Sequence, residues 1–390
     1  MKYSSFLPVL FLTFCITFMG CTTGGPGISC EDGLGFDGDS GDVLLTSQGD
    51  VNRFGLTGDT HIRGTLFIVY CSDRGSQNIT NLNALNRITQ IDGNLVISEL
   101  KELTSITGLE NLIKVGGTVH LNDIPKLTNL RGLHNLAEIG GELHLGMVTS
   151  LENLDDLNHL TTVGGLRLWA NADVNHIDGL AGLRELSGVI HIEQNDMLSQ
   201  INGLQHIETF RVEDLFVGHN ANLVSLEGLD NLSAIKYFNS IHEAGVRIYR
   251  NPKLTTLNGL DNLQLVEGSI EVRWNKTLAN IEGLTGITAA NGLLWITENE
   301  RLTTLQGLRN ITGVTGSLAI YDNDLLTNLE GLNAMEQLGI SLDISDNNSL
   351  TNLCALTNLV THLDEGTTYT VENNAYNPTK EDILNGDCEL

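Results

Sequence analysis

The chain has 390 residues, with 48 acidic side chains against 21 basic ones and a formal net charge of −27. A surface this negative repels phosphate backbones and anionic headgroups, which argues against nucleic acid as a partner and tolerates cations or basic partners. With 41% apolar residues, 42 glycines and 5 prolines, the composition supports a packed core and excludes global disorder or a proline-rich linker.

Residues 1–20 read as a leader. Lys2 gives a short positive start, and Phe6 to Phe18 is apolar but too short to span a bilayer. The stretch ends in Phe18-Met19-Gly20-Cys21, which resembles a bacterial lipobox. That resemblance implies that Cys21 is lipidated and becomes the mature N-terminus. An ordinary secretory leader cut nearby is the alternative. Residues 21–27, Gly-rich and uncharged, then form a tether. The expected location is outside the cytoplasm, anchored by lipid to a bacterial outer membrane or cell surface. Membrane contact is through the lipid only, since no later stretch is apolar enough to cross.

Beyond the leader, four cysteines remain: Cys30, Cys71, Cys354 and Cys388. They allow three pairings, and an exported protein meets oxidising conditions. Two lie near each end, so the preferred pairing is Cys30–Cys71 and Cys354–Cys388, one staple per end. A four-cysteine metal site is the rival and would need the two ends to meet. Asp37-Gly-Asp39-Ser-Gly-Asp42 resembles part of a calcium loop but lacks the distal bidentate Glu, so a plain acidic turn is the alternative. No metal and no cofactor are expected.

The dominant signal is internal repetition. Gly-Leu recurs at Gly108, Gly132, Gly179, Gly203, Gly228, Gly259, Gly283, Gly307 and Gly331, with degenerate copies at Ala84-Leu85, Asp156-Leu157 and Ala355-Leu356. The spacing is 24 in most steps, 23 or 25 in two and 31 in one, making twelve units over residues 75–374. Within a unit such as Leu127-Thr-Asn-Leu130-Arg-Gly-Leu133-His-Asn-Leu136-Ala-Glu-Ile139, apolar residues recur every third position. An α-helical stripe alternates threes and fours, so this is a chain turning corners through tight turns or short 3-10 pieces. The period then becomes two, as in Gly141-Glu-Leu143-His-Leu145, which reads as a half-buried strand. One such coil cannot bury its leucines. Stacked coils can, with parallel strands in register. At ~4.8 Å per coil the twelve give a rod roughly 55 Å long. Residues 28–74, an N-terminal cap with a first irregular coil, and 375–390, a C-terminal cap, would close its ends. Pro378 to Gly386 reads as a short capping helix.

Eight positions before the marker stand Asn171, Asn195, Asn220, Asn251, Asn275, Asn299, Asn323 and Asn347. A stacked asparagine column satisfies turn backbone groups in neighbouring coils. These residues are expected to be structural rather than ligand-binding.

The unit, carried by residues such as Leu254-Thr-Thr-Leu257-Asn-Gly-Leu260-Asp-Asn-Leu263, resembles the receptor L-domain, a relative of leucine-rich repeats. Over residues 40–390 that resemblance implies an all-β, right-handed β-solenoid of about twelve 24-residue coils with caps at both ends. Such chains are also similar to bacterial surface lipoproteins. The likeness speaks for fold and little for function.

If Leu143 and Leu145 point inward, His144 points out. The same outward position holds Val96, His120, His144, Arg167, His191, Phe216, Arg247, Glu271, Trp295, Ala319 and Asp343. A second outward column two residues on includes Trp169, Glu193, Tyr249, Arg273, Thr297 and Tyr321. This face gathers the aromatic and basic residues of a chain poor in both, and Trp274 lies beside it. It is either a ligand-binding face, with rings for contact and Arg for charge-assisted bonds, or a solvated sheet face. The candidate contacts are His120, His144, Arg167, Trp169, His191, Tyr249, Arg273, Trp295 and Tyr321. Tyr237 and Phe238 join them on the seven-residue insertion between Gly228 and Gly259. A metal among His120, His144 and His191 is disfavoured because Arg167 intervenes. No nucleophile elbow, zinc-protease helix or phosphate loop is present, and Glu193, Glu271 and Asp343 lie far apart. The expected function is therefore recognition of an extracellular protein or a glycan, not catalysis. The alternatives are a passive surface protein or, less favoured, a β-helix carbohydrate-active enzyme. The oligomeric state is open.

Overall fold

The alternating segment of each unit forms a short strand, and every such strand pairs in parallel with the strands one unit before and after it. A computed structural model describes residues 41–71, 78–236 and 245–390. Vertical neighbours are the residues one unit apart: Leu95 faces Val119, Val119 faces Leu143, and Leu294 faces Leu318. The chain of pairings runs on to the last strand, Thr368–Glu372. It also reaches upstream into the segment expected as a cap. There Val43–Leu45 pairs with Leu66–Val69, which pairs with Leu95–Ser98. The architecture is a solenoid of stacked coils joined by one long parallel sheet, with few helices.

The inside of each coil is aliphatic. Leu127, Leu130, Leu133, Leu136 and Ile139 of one unit are all fully buried, as are their equivalents in the coils on either side. A buried leucine contributes about 1.5–3 kcal/mol relative to an exposed one. Those leucines touch leucines of the next coil, so no coil is stable alone. The period-three stretch turns through short 3-10 segments such as Arg131–Leu133, Asn202–Leu204 and Gln306–Leu308.

The marker glycine has a packing reason. A Cβ on Gly179 or Gly307 would be driven into the carbonyl oxygen of Leu154 or Ile281 in the preceding coil. Where Asp156 replaces it, the carboxylate accepts from the Leu130 N–H of the preceding coil at 3.0 Å. The glycine before the strand stacks too: Gly141 N–H donates to Gly117 O, which lies one coil back, at 2.9 Å.

Just before the main strands run two-residue strands such as Gln90–Ile91, Lys114–Val115 and Leu265–Val266. In four central coils these fuse with the main strand into one longer strand: Glu138–Gly146, Thr162–Trp169, Glu185–Glu193 and Thr209–Gly218. Register shifts at Ile139/Glu142 and Gly188/Val189 absorb the corner.

The eight asparagines stand in one fully buried column. Asn195 Oδ1 accepts from the Asn171 N–H at 3.2 Å, and Asn275 Oδ1 from the Asn251 N–H at 3.0 Å. Each Nδ2 reaches back to a strand carbonyl, as Asn195 does to Leu168 O at 3.0 Å. The column continues one step further to Asn374, which accepts from Asn347 N–H at 3.0 Å. Upstream, the place is taken by Leu100, Ile124 and Val148, all buried.

The residue before each asparagine is left-handed. Ala170, Gln194, His219, Arg250, Trp274, Glu298, Asp322 and Asp346 all have φ between 51° and 57°, and none is glycine. A non-glycine residue there costs about 1–2 kcal/mol, which the asparagine bonds around the turn offset.

The C-terminal stretch holds a helix, Lys380–Asn385, with a Thr379–Asp382 capping box and a left-handed Gly386. Two further helices, Gln48–Gly55 and Thr357–His362, were not foreseen in an all-β reading. Cys354 and Cys388 form a disulfide. Cys71 is also disulfide-bonded, and its expected partner Cys30 lies outside the described residues. So do the leader, the tether, Cys21, Tyr237 and Phe238, and Asp37 and Asp39 of the acidic loop. Asp42 of that loop accepts from Thr65 N–H at 2.6 Å, a local structural bond. No helix among the described residues is long and apolar enough to cross a membrane.

Candidate binding face

Register decides which outward residues meet. Val96, His120, His144, Arg167, His191, Phe216, Arg247, Glu271, Trp295, Ala319 and Asp343 are successive vertical neighbours. The second column runs Gly146, Trp169, Glu193, Gly218, Tyr249, Arg273, Thr297 and Tyr321. A third outward column, two residues before the first, includes Glu142, Gly165 and Val189, then Asp214, Gly245 and Ser269. Sequence reading passed over it, although the alternation that revealed the others would have found it.

Not all of the face is open. Val96 is buried with Phe67, Val69 and Cys71 in a small apolar cluster, and Ala319 is buried as well. The expectation that both contribute to a solvated or binding face is corrected: their neighbours cover them.

In the central coils the face is a closed polar network. Arg167, half-buried, pairs with Glu142 at 3.1 Å and bonds His191 Nδ1 at 3.0 Å. His191 Nε2 meets the buried Glu193 at 2.9 Å, and its ring leans on Phe216 with centroids 4.6 Å apart. Arg247 pairs with the buried Asp214 at 2.7 Å and lies over Phe216 at 5.4 Å. His120 and His144 meet edge to face at 4.4 Å. Burial lowers His120 to about 4, against the opposing pull of Glu142. His144 falls to about 2 through burial, then through His120, Arg167 and His191. Both are neutral near pH 7. Among the described residues no group of three or more His, Cys, Asp or Glu is placed to hold a metal.

Gly218 of the second column makes room for a ring, since a Cβ there would stand 2.7 Å from Phe216. Trp169 has Gly146 and Glu193 as vertical neighbours, away from the other tryptophans.

Three coils further on, the face changes character. Tyr249 and Trp274 meet edge to face at 4.8 Å. Arg250 lies over both, at 5.0 and 4.9 Å. Arg273 lies over Trp274 at 4.3 Å and Trp295 at 4.9 Å, and pairs with Glu271 at 3.3 Å. Tyr249, Arg273 and Trp295, expected from the strand columns, are thus brought together. Arg250 and Trp274 complete the patch from the left-handed turn position, one residue beyond the strand. Tyr321 has no ring contact with this group among the described residues.

No protein-family model matches the chain, and no curated protein sequence does. Among solved structures the chain is similar to an internalin from Listeria monocytogenes. The identity is 16% and the TM-score 0.38, over 84% of this chain and 76% of that one. It is also similar to a chain of a TLR13–ssRNA13 complex, at 15% identity and a TM-score of 0.28, over 84% of this chain and 56% of that one. Likeness at this level carries no partner across.

Proposed function

We propose that the protein is a recognition module that binds a glycan or an extracellular protein through its strand face. The observation that supports this most is the patch of Tyr249, Arg250, Arg273, Trp274 and Trp295. Rigid rings give contact area at little entropic cost, and guanidinium groups give directed, charge-assisted bonds. A chain with 5% aromatic residues here gathers three rings and two guanidiniums outside its aliphatic core. In this reading the chain is a binder and not a catalyst, and it is displayed from a membrane by a lipid on Cys21. We further infer a right-handed rod of about twelve coils, capped at both ends, of the receptor L-domain kind. Right-handed crossovers between parallel strands are the general rule.

The test is a glycan and protein array probed with the purified protein and with a variant carrying Trp169→Ala, Tyr249→Ala and Trp295→Ala. The wild-type signal should fall about tenfold or more in the variant. A signal that survives the three changes removes the strand face as the site. Mass spectrometry of the membrane-extracted protein should find a diacylglyceryl group on Cys21, and Cys21→Ser should release the chain from the membrane.

A further inference from the structure

Taking the strand face as a binding site, we infer that the patch around Arg250 selects a carboxylated sugar, so that the ligand is an acidic glycan. The other arginines of the face each pair with an acid. Arg167 has Glu142 at 3.1 Å, Arg247 has Asp214 at 2.7 Å and Arg273 has Glu271 at 3.3 Å. Arg250 is exposed and makes no ion pair among the described residues. Its guanidinium is held by the rings of Tyr249 and Trp274.

Trp274 is approached by two guanidiniums, Arg250 at 4.9 Å and Arg273 at 4.3 Å. Two cations against one ring repel each other, and Glu271 compensates only Arg273. An incoming carboxylate would relieve that repulsion and find the planar, forked donor set that suits it. The guanidinium is already oriented by its rings, so little side-chain entropy is lost when the anion docks. The nearest acid in the left-handed column is Glu298, which makes no ion pair with Arg250 among the described residues; burial and Asp322 raise its carboxyl while the charges of Arg273 and Arg250 pull it down. The overall negative charge opposes an anionic ligand only at long range, where salt screens beyond about 8 Å.

Size favours a saccharide over a protein. From Tyr249 to Trp295 the patch spans two coil steps, roughly 10 Å. A stable protein interface needs about 800 Å² per partner. A short saccharide needs one ring face for the apolar side of a pyranose, which Trp295 supplies, and one donor fork for its carboxylate, which Arg250 supplies.

The experiment titrates the full-length protein with trigalacturonate and with its fully methyl-esterified form, following tryptophan fluorescence and heat in 0.15 M salt. The acid should bind about tenfold more tightly than the ester, the size of one charge-assisted contact. Arg250→Gln should bring the acid to the ester's affinity and leave the ester unchanged. Trp295→Ala should weaken both. Circular dichroism confirms that each variant is folded. Equal binding of acid and ester overturns the inference but leaves the face as a binding site. A hexaglutamate peptide that binds more tightly than the trisaccharide overturns it in favour of an acidic protein segment. If neither saccharide binds, the inference falls. If the array then shows no ligand that the ring variant loses, the reading of the face falls with it.

Discussion

The two halves of the strand face carry similar side chains and put them to different ends. Over the four continuous strands from Glu138 to Gly218, with Arg247 reaching in from the next strand, every arginine and charged acid of the network has a close partner. Glu142 holds Arg167, Glu193 holds His191 and Asp214 holds Arg247. Over the separate strands from Gly245 to Thr297, the rings of Tyr249, Trp274 and Trp295 surround arginines, and one of these, Arg250, makes ring contacts but no ion pair among the described residues. Residue type therefore does not mark a site. A buried ion pair fixes local structure, because both charges give up hydration and must answer each other. A guanidinium lying on aromatic rings keeps donors free for a partner from outside.

Both halves rest on the same asparagine column, and that sets the largest expected effect. Asn195→Ala removes the acceptor of the Asn171 N–H and the donor to Leu168 O, and Asn275→Ala removes the equivalent bonds to Asn251 and Ile248. Each should cost about 2–4 kcal/mol, since buried backbone groups are left open beside a small cavity. Urea unfolding should show losses of similar size. A loss at Asn275 less than half that at Asn195 would mean that the scaffolds differ, and not only the faces. Next in size is Arg167→Ala, which strands Glu142 and removes a bond to His191. The pair is partly hydrated, so the expected loss is about 2 kcal/mol, below that of a fully buried pair. Ligand binding should not change.

How much of this was legible in the sequence follows from what each pattern encodes. The coil length, the strand positions and the asparagine column could be read because apolar spacing and stacked amides recur in every unit. The marker glycine was visible, but not its cause, which is the carbonyl of the previous coil and not any local conformation. The left-handed position escaped because it holds Glu, Asp, Arg, Trp and Ala with no shared chemistry. Only the backbone requires it. That is why Arg250 was missed as a contact and Trp274 was placed only beside the face. The pairing of Arg167 and Arg247 was missed for another reason. Their acids stand in a third outward column whose other members are mostly small, so no chemical contrast drew attention to it.

A smaller effect separates the halves by pH. His120 and His144 are kept neutral in the folded chain, at about 4 and about 2, whereas an unfolded histidine titrates near 6.5. Between those values the unfolded chain binds more protons than the folded one. Stability is therefore complete above about pH 6.5 and falls as the pH drops toward 4, and beyond that for His144. Each histidine contributes a slope of up to about 1.4 kcal/mol per pH unit. His144→Gln should flatten the curve between pH 6 and 4 by about that slope for one group. A curve that keeps its slope in this variant would show that His144 does not carry the burial cost. Changes in the ring patch, such as Trp295→Ala, should leave the slope as it is.

The smallest expected effect is the most telling. Arg250→Gln removes an exposed guanidinium with no ion pair among the described residues, so the stability change should be about 0.5 kcal/mol or less. The left-handed backbone there is already held by the Asn251 bonds to Asn275 and Val217, which the substitution leaves intact. Ring contacts with a solvated cation contribute little, because water competes for the same charge. Urea curves of this variant and of Arg167→Ala, run side by side, measure the contrast between the two halves directly. Losses of equal size would make Arg250 a structural partner of Tyr249 and Trp274. The patch would then be as closed as the network beside it, with nothing left to offer a ligand.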